Sequence, residues 1–280
     1  MLSLAQILTS MKKLVLILLS LVSVSIYAQK REKRDVSGFN QVTFAFPGTL
    51  YLKQGSSFSV ELSGDKELLD KIETEVEGSR LAIKRKDLFR GWSNWDNHGS
   101  LTAYVTLPKL TGVSVMGSGK IVGQGIFKGQ PLDARVSGSG SISLEVDAEE
   151  TELDVSGSGT ISLKGTFAEV ESGISGSGKI ELNGAVAGGI NSTISGSGRL
   201  ATSGTAKSLK SSISGSGKVA GFNLVVEKCY ARISGSGSVE INATKEIDAE
   251  ISGSGTVLYK GSPDHISSHS SGSGKVKKAE

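Results

Sequence analysis

Residues 154–163 read DVSGSGTISL, and residues 173–182 read GISGSGKIEL. The frame returns as TISGSGRLAT at 193–202, SISGSGKVAG at 212–221 and RISGSGSVEI at 232–241. Each copy places a β-branched residue before Ser-Gly-Ser-Gly, then one polar and one apolar residue. Outward from these copies, Gly-Ser-Gly begins at Gly117, Gly138, Gly157, Gly176, Gly196, Gly215, Gly235, Gly253 and Gly272, with gaps of 21, 19, 19, 20, 19, 20, 18 and 19.

The pattern has the period of two that marks a strand. Val170, Ser172, Ile174, Gly176, Gly178, Ile180 and Leu182 share one parity, apolar or very small. Glu169, Glu171, Gly173, Ser175, Ser177, Lys179 and Glu181 share the other, which is largely polar. A repeat of this length is shorter than a strand–helix–strand unit of about 30 residues or more or a propeller blade of about 40–45. It suits one coil of a right-handed parallel β-helix, each coil pairing with the next at about 4.8 Å. Nine coils then stack over about 40 Å, and none is stable without its neighbours. Gly-Ser-Gly has two readings: a strand interior whose glycines point inward, or a corner that needs glycine's backbone freedom.

Residues 29–115 are β-rich but irregular, and 116–280 carry the repeat. Strands are predicted at Gln41–Phe46, Thr49–Lys53, Phe58–Leu62, Glu73–Val76, Leu81–Lys86 and Leu101–Leu107. Asp65 is placed to cap one short helix, Lys66–Ile72. This part reads as an irregular start to the solenoid or a small sheet capping it, since an open end exposes unpaired backbone. At the other end Lys275, Lys277 and Lys278 discourage end-to-end stacking.

Residues 1–28 read as an export signal: Lys12 and Lys13 precede the apolar run Leu14–Val22, and Ala28 precedes a cut at Gln29. Met11 is a candidate start. The run is too short to span a membrane, and no second apolar run of spanning length follows. The mature chain is expected in the periplasm, on the outer surface or secreted.

With 37 Gly, 4 Pro and 5% aromatics, the composition fits a slim repetitive interior better than a conventional core. The net charge of +3 leaves no footprint for nucleic acid. The single Cys229 shares parity with Ala231 and Ile233, so it reads as a small buried hydrophobe without a disulfide.

A resemblance adds to this. Arg34-Asp35-Val36-Ser37-Gly38-Phe39-Asn40, then Leu52-Lys53-Gln54-Gly55, Gly64-Asp65 with Leu68-Leu69, Leu107-Pro108-Lys109-Leu110 and the Gly-Ser-Gly coils follow in order. From about residue 34 onward the chain resembles the putative auto-transporter adhesin, head GIN domain family. That resemblance implies an exported β-helical protein of Bacteroidetes-type bacteria, with adhesion as the proposed role and no catalytic residues to carry over. Lys277-Lys278-Ala279-Glu280 does not read as a membrane-barrel strand, so no translocating barrel is expected here.

The chemistry points to binding rather than catalysis. The histidines His98, His265 and His269 lack further ligands at metal spacing, and no cofactor motif is present. Calcium-binding β-rolls carry a Gly-Gly-x-Gly-x-Asp repeat, whose ligating Asp these coils lack. The acidic run Glu145, Asp147, Glu149, Glu150, Glu152 and Asp154 reads as a solvated edge around a turn. Two features can hold a ligand. The loop Asp87–Ser100, DLFRGWSNWDNHGS, carries Phe89, Trp92, Asn94, Trp95 and Asp96, aromatic faces beside polar groups that suit a sugar or a protein partner. Lys179, Arg199 and Lys218 hold equivalent places in three successive coils, a cationic ladder able to attract an anionic glycan. The sequence therefore points to a non-catalytic adhesion or binding module of the cell envelope with a glycan or protein partner. The alternatives are a self-associating envelope scaffold and a glycan-active β-helix enzyme.

Overall fold

Each Gly-Ser-Gly of the repeat is a corner between two strands. In the computed structural model, which describes residues 30–86, 100–129 and 131–280, the first glycine ends a strand and the serine bends. The strand resumes after the second glycine. From Gly138 to Gly272 the first glycine of each corner has φ between +112° and +124°, a region that side chains with a Cβ avoid. A Cβ on Gly157 would lie 2.7 Å from the Gly138 carbonyl oxygen, and one on Gly159 2.3 Å from Val136 Cγ1. Both sequence readings of the motif thus hold at different atoms: the first glycine turns, and the second packs inward. The ladder continues around the bend, with Ser158 N–H donating to Gly138 O at 2.9 Å and Thr160 N–H to Gly140 O at 3.0 Å. Backbone hydrogen bonding between coils therefore carries on through the bend.

The strands begin with β1 (Lys30–Arg34), β2 (Gln41–Ala45), β3 (Gly48–Gln54) and β4 (Ser59–Gly64). Helix α1 (Lys66–Asp70) follows, then β5 (Ile72–Glu77), β6 (Arg80–Arg85) and β7 (Leu101–Leu107). The repeat comprises β8 (Gly112–Gly117), β9 (Lys120–Lys128), β10 (Leu132–Gly138), β11 (Ser141–Gly157) and β12 (Thr160–Gly176). It continues through β13 (Lys179–Val186), β14 (Gly189–Gly196), β15 (Arg199–Gly215), β16 (Lys218–Gly235) and β17 (Ser238–Gly253). β18 (Thr256–Lys260), β19 (His265–Gly272) and β20 (Lys275–Lys278) complete it. The result is a β-solenoid of about nine turns, 77% strand and 2% helix.

Register is set by interior columns. Ile142, Ile161, Ile180, Leu200, Val219, Val239 and Val257 stack after the corner. Val136, Val155, Ile174, Ile194, Ile213, Ile233 and Ile251 stack before it. All of them are buried, and each such side chain contributes about 1.5–3 kcal/mol. A one-residue slip would turn every column out to solvent. The alternation also reverses within each coil, at a place the period-two reading does not anticipate. Glu149–Glu150, Ala168–Glu169 and Glu227–Lys228 are pairs of consecutive exposed residues, and there the chain turns a further corner. β11 therefore winds around the coil as one 17-residue ladder element.

The N-terminal layers are threaded out of chain order. β2 and β3 lie between two parallel neighbours: β6 and β7 on one side, β8 and β9 on the other. Beyond β7 and β6 the direction reverses, with β4 antiparallel to β7 and β5 antiparallel to β6. Leu68 and Leu69 of α1 and Ile72 of β5 are fully buried here. Asp65 stands at the N-cap with extended backbone, but its side chain makes no capping hydrogen bond. The helix is shorter than its apolar pattern predicts, because Ile72 is already the first residue of β5.

Candidate functional site

Strands before and after each Gly-Ser-Gly corner present two lateral faces. On the face after the corner, Thr160, Lys179, Arg199, Lys218 and Ser238 share one column, in register from β12 to β17. The structure thus brings the three cations together as the repeat requires. Two of them carry their own counterions. Lys179 pairs with Glu181 of its own strand, and Lys218 pairs with Glu240 of the next coil. The hydrogen bond from Lys179 holds the Glu181 carboxyl below its ordinary value. Arg199 is exposed and makes no ion pair among the described residues. Phe89, Trp92, Asn94, Trp95 and Asp96 lie outside the described residues. The segment that holds them joins β6 to β7.

At the N-terminal end of this face Tyr51 and Tyr104, in register on β3 and β7, stack with centroids 5.4 Å apart and planes 17° apart. The Arg31 guanidinium lies 5.5 Å over Tyr104 and pairs with Glu61 at 3.2 Å. This aromatic pair is already closed on one side by a cation.

Among the described residues, shallow hollows lie on the face before the corner. Their key column lies five residues before each corner glycine: Asp133, Glu152, Glu171, Asn191, Lys210, Tyr230, Asp248 and Ser267. One hollow, about 860 Å³, is lined by Asp133, Glu150, Glu152, Glu169, Glu171 and Asn191 among others. Here the acidic run lies within strand β11 and around its corner. Arg135 ties Asp133 at 2.7 Å, Glu152 at 3.1 Å and Asp154 at 3.8 Å. Partial burial raises the Glu152 carboxyl above its ordinary value; Arg135 opposes this, while Asp133, Asp154 and Glu171 reinforce it. Glu169 Oε2 accepts the Gly189 N–H at 2.8 Å. A second hollow, about 300 Å³, lies toward the N-terminal layers between Gln41, Arg80, Met116, Asp133 and Arg135.

A third hollow, about 340 Å³, lies over β15, β16 and β17. Its side chains are Lys210, Ser212, Tyr230, Arg232, Asp248 and Glu250. Arg232 Nη2 meets Glu250 Oε2 at 2.7 Å. Just outside the hollow Lys228 meets Glu246 at 2.9 Å, and that hydrogen bond holds the Lys228 ammonium above its ordinary value. Period-two reading of a single coil does not single out Lys210, Tyr230 and Asp248. Aligning the coils on their corner glycines does, because it puts the three in one column.

His265 and His269 lie in strand β19, exposed and in register with Glu246 and Glu250. No group of three or more His, Cys, Asp or Glu among the described residues is placed to hold a metal ion. Cys229 is fully buried between Leu209 and Ile247, and burial pushes its thiol up to about 12. A thiol so held is not a nucleophile at neutral pH.

A family model described as putative auto-transporter adhesin, head GIN domain, matches residues 38–201 and 173–263. Among solved structures, the chain is similar to a putative lipid binding protein from Parabacteroides distasonis ATCC 8503. Identity is 25% and the TM-score 0.69, over 91% of this chain and 98% of that one. A putative adhesin from Parabacteroides merdae ATCC 43184 is 21% identical, with a TM-score of 0.67 over 91% of this chain and 98% of that one. A putative adhesin from P. distasonis ATCC 8503 is also 21% identical, with a TM-score of 0.69 over 89% and 96%. These last two bear on the fold alone. No curated protein matches the chain. No helix among the described residues is long and apolar enough to cross a membrane.

Proposed function

The chain belongs to the putative auto-transporter adhesin, head GIN domain family, and from that premise we propose that it is an exported, non-catalytic adhesion module of the cell envelope that binds glycans. One observation carries the reading: outward positions repeat in register from coil to coil, so the solenoid presents long lateral faces of spaced polar side chains. A ladder surface of this kind matches a polymer whose own units repeat. The Trp92–Trp95 segment and the Lys179–Arg199–Lys218 column are the contacts proposed from sequence, one by stacking and the other by charge.

Replacing Trp92 and Trp95 with Ala and measuring retention on cell-wall and host glycans tests the loop. If the rings are anchors, affinity falls about 30-fold or more, the size of a binding hot spot. Unchanged retention removes the loop.

A self-associating scaffold is the second reading, and one strand favours it. β19 pairs only with β17 among the described residues, and Ile266 on it is 41% exposed. Such an edge can pair with another chain. Sedimentation of a strict monomer at high concentration would remove this reading.

A further inference from the structure

We propose that the hollow over β15, β16 and β17 is a subsite for an uncharged stretch of glycan, with Tyr230 as the stacking ring and Asp248 and Lys210 as its hydrogen-bonding arms. The proposal rests on the glycan-binding reading above and adds a face that the lysine column does not include. Three observations lead to it.

First, the geometry is fixed by the ladder. Lys210, Tyr230 and Asp248 are consecutive members of one column, in register across three strands. The ring is therefore flanked at about 4.8 Å per step by a cation on one side and a carboxylate on the other. These groups stand on a rigid sheet, so their spacing is set before any ligand arrives.

Second, the two arms are free. Arg232 and Glu250 satisfy each other; Lys228 pairs with Glu246 and also hydrogen-bonds the Tyr230 hydroxyl, which leaves the ring face open. Lys210 and Asp248 make no ion pair or side-chain hydrogen bond among the described residues. Elsewhere on the solenoid the acids in register with basic residues are commonly paired; here the tyrosine separates the charges by two strand spacings. A carboxylate accepts hydrogen bonds and an ammonium donates them. Sugar hydroxyls do both, so a ring laid across Tyr230 can use each arm without either being neutralised.

Third, the charge balance selects the ligand. The two cations and two acids lining the hollow cancel, so it offers no net attraction to a polyanion. That sets it apart from the column of Lys179, Arg199 and Lys218. At about 340 Å³ it lies at the small end of the ~300–1,000 Å³ typical of small-molecule sites.

The test is affinity electrophoresis of the purified chain through gels containing laminarin, xyloglucan or galactomannan, with alginate as the acidic counterpart. Retardation is expected in at least one neutral gel. Tyr230→Ala should weaken it about tenfold or more, and Asp248→Asn and Lys210→Gln several-fold each. Thermal unfolding should be nearly unchanged, because all three side chains lie outside the core. Should Tyr230→Ala fail to fold, Asp248→Asn preserves size and decides the matter: retardation equal to the parent's overturns the proposal. Retardation abolished by replacing Trp92 and Trp95 but indifferent to Tyr230→Ala overturns the hollow and leaves the binding reading standing. So does retardation by alginate alone. No retardation in any gel overturns the hollow and counts against the glycan reading itself.

Discussion

The N-terminal layers and the Gly-Ser-Gly coils solve the same problem by different means. Both must stack parallel strands and bury one side. The coils do it with glycine corners and columns of Ile and Val, each coil nearly a copy of the last. The N-terminal layers use larger side chains, including Phe39, Phe44 and Phe46 in the core, and antiparallel strands that reverse the chain. A repeat needs only a local rule, whereas an end needs long-range closure. The coils are accordingly tolerant outside and intolerant at their corners, and the N-terminal layers tolerate little change in their core.

The largest effect should come from breaking a corner. Gly157→Val puts a branched side chain at φ +112° and against the Gly138 carbonyl. We expect a loss of about 3 kcal/mol or more, read from urea unfolding. Two core truncations sharpen the contrast. Ile174→Ala in the coils and Leu68→Ala in the N-terminal layers should each cost about 2–5 kcal/mol. The loss in the coils should split unfolding into two transitions, because a solenoid couples only nearest neighbours. The N-terminal variant should instead lower a single transition.

Alkaline pH gives a further test. Cys229 is held neutral up to about 12, against an ordinary 9.0. A raised folded value means that its contribution is complete below 9 and is lost as pH climbs toward 12, since the unfolded thiol ionises first. Over that window Cys229→Ala should show a shallower fall in stability than the parent, in paired thermal melts. The smallest effect belongs to the lateral pairs: Lys179→Ala and Lys218→Ala should each change stability by less than about 1 kcal/mol.

The difference between the two regions also explains what could be read in the sequence. The coils were legible because a glycine corner and a period of two are local signals, and nine copies fix one register. Strands β2 to β7 were legible to within a residue or two for the same reason, whereas β1 (Lys30–Arg34), a run of charged residues, was not. Their stacking order was not: nothing near Gln41 states that β2 will lie between β6 and β8. The reversal at Glu149–Glu150 was hidden because two exposed acids read equally well as a solvated edge. Asp65 has the composition of a cap, yet the strand that starts at Ile72 limits the helix to little more than a turn. The hollow around Tyr230 needs three coils compared at one offset, whereas the cations at Lys179, Arg199 and Lys218 sit beside the motif and draw the eye. Their neighbours Glu181 and Glu240 neutralise two of them.

Distances between spin labels on the serine column would test the stacked register most directly. Ser137, Ser156, Ser175, Ser195, Ser214, Ser234 and Ser252 are successive partners from β10 to β17. Labels at positions 137 and 214 span four steps, and labels at 137 and 252 span six. Pulsed electron paramagnetic resonance should give about 19 Å and about 29 Å, a difference of about 10 Å that the label's own length cannot mimic. Equal distances, or a longer one for the nearer pair, would contradict the stacking of coils on which the faces and the hollow depend.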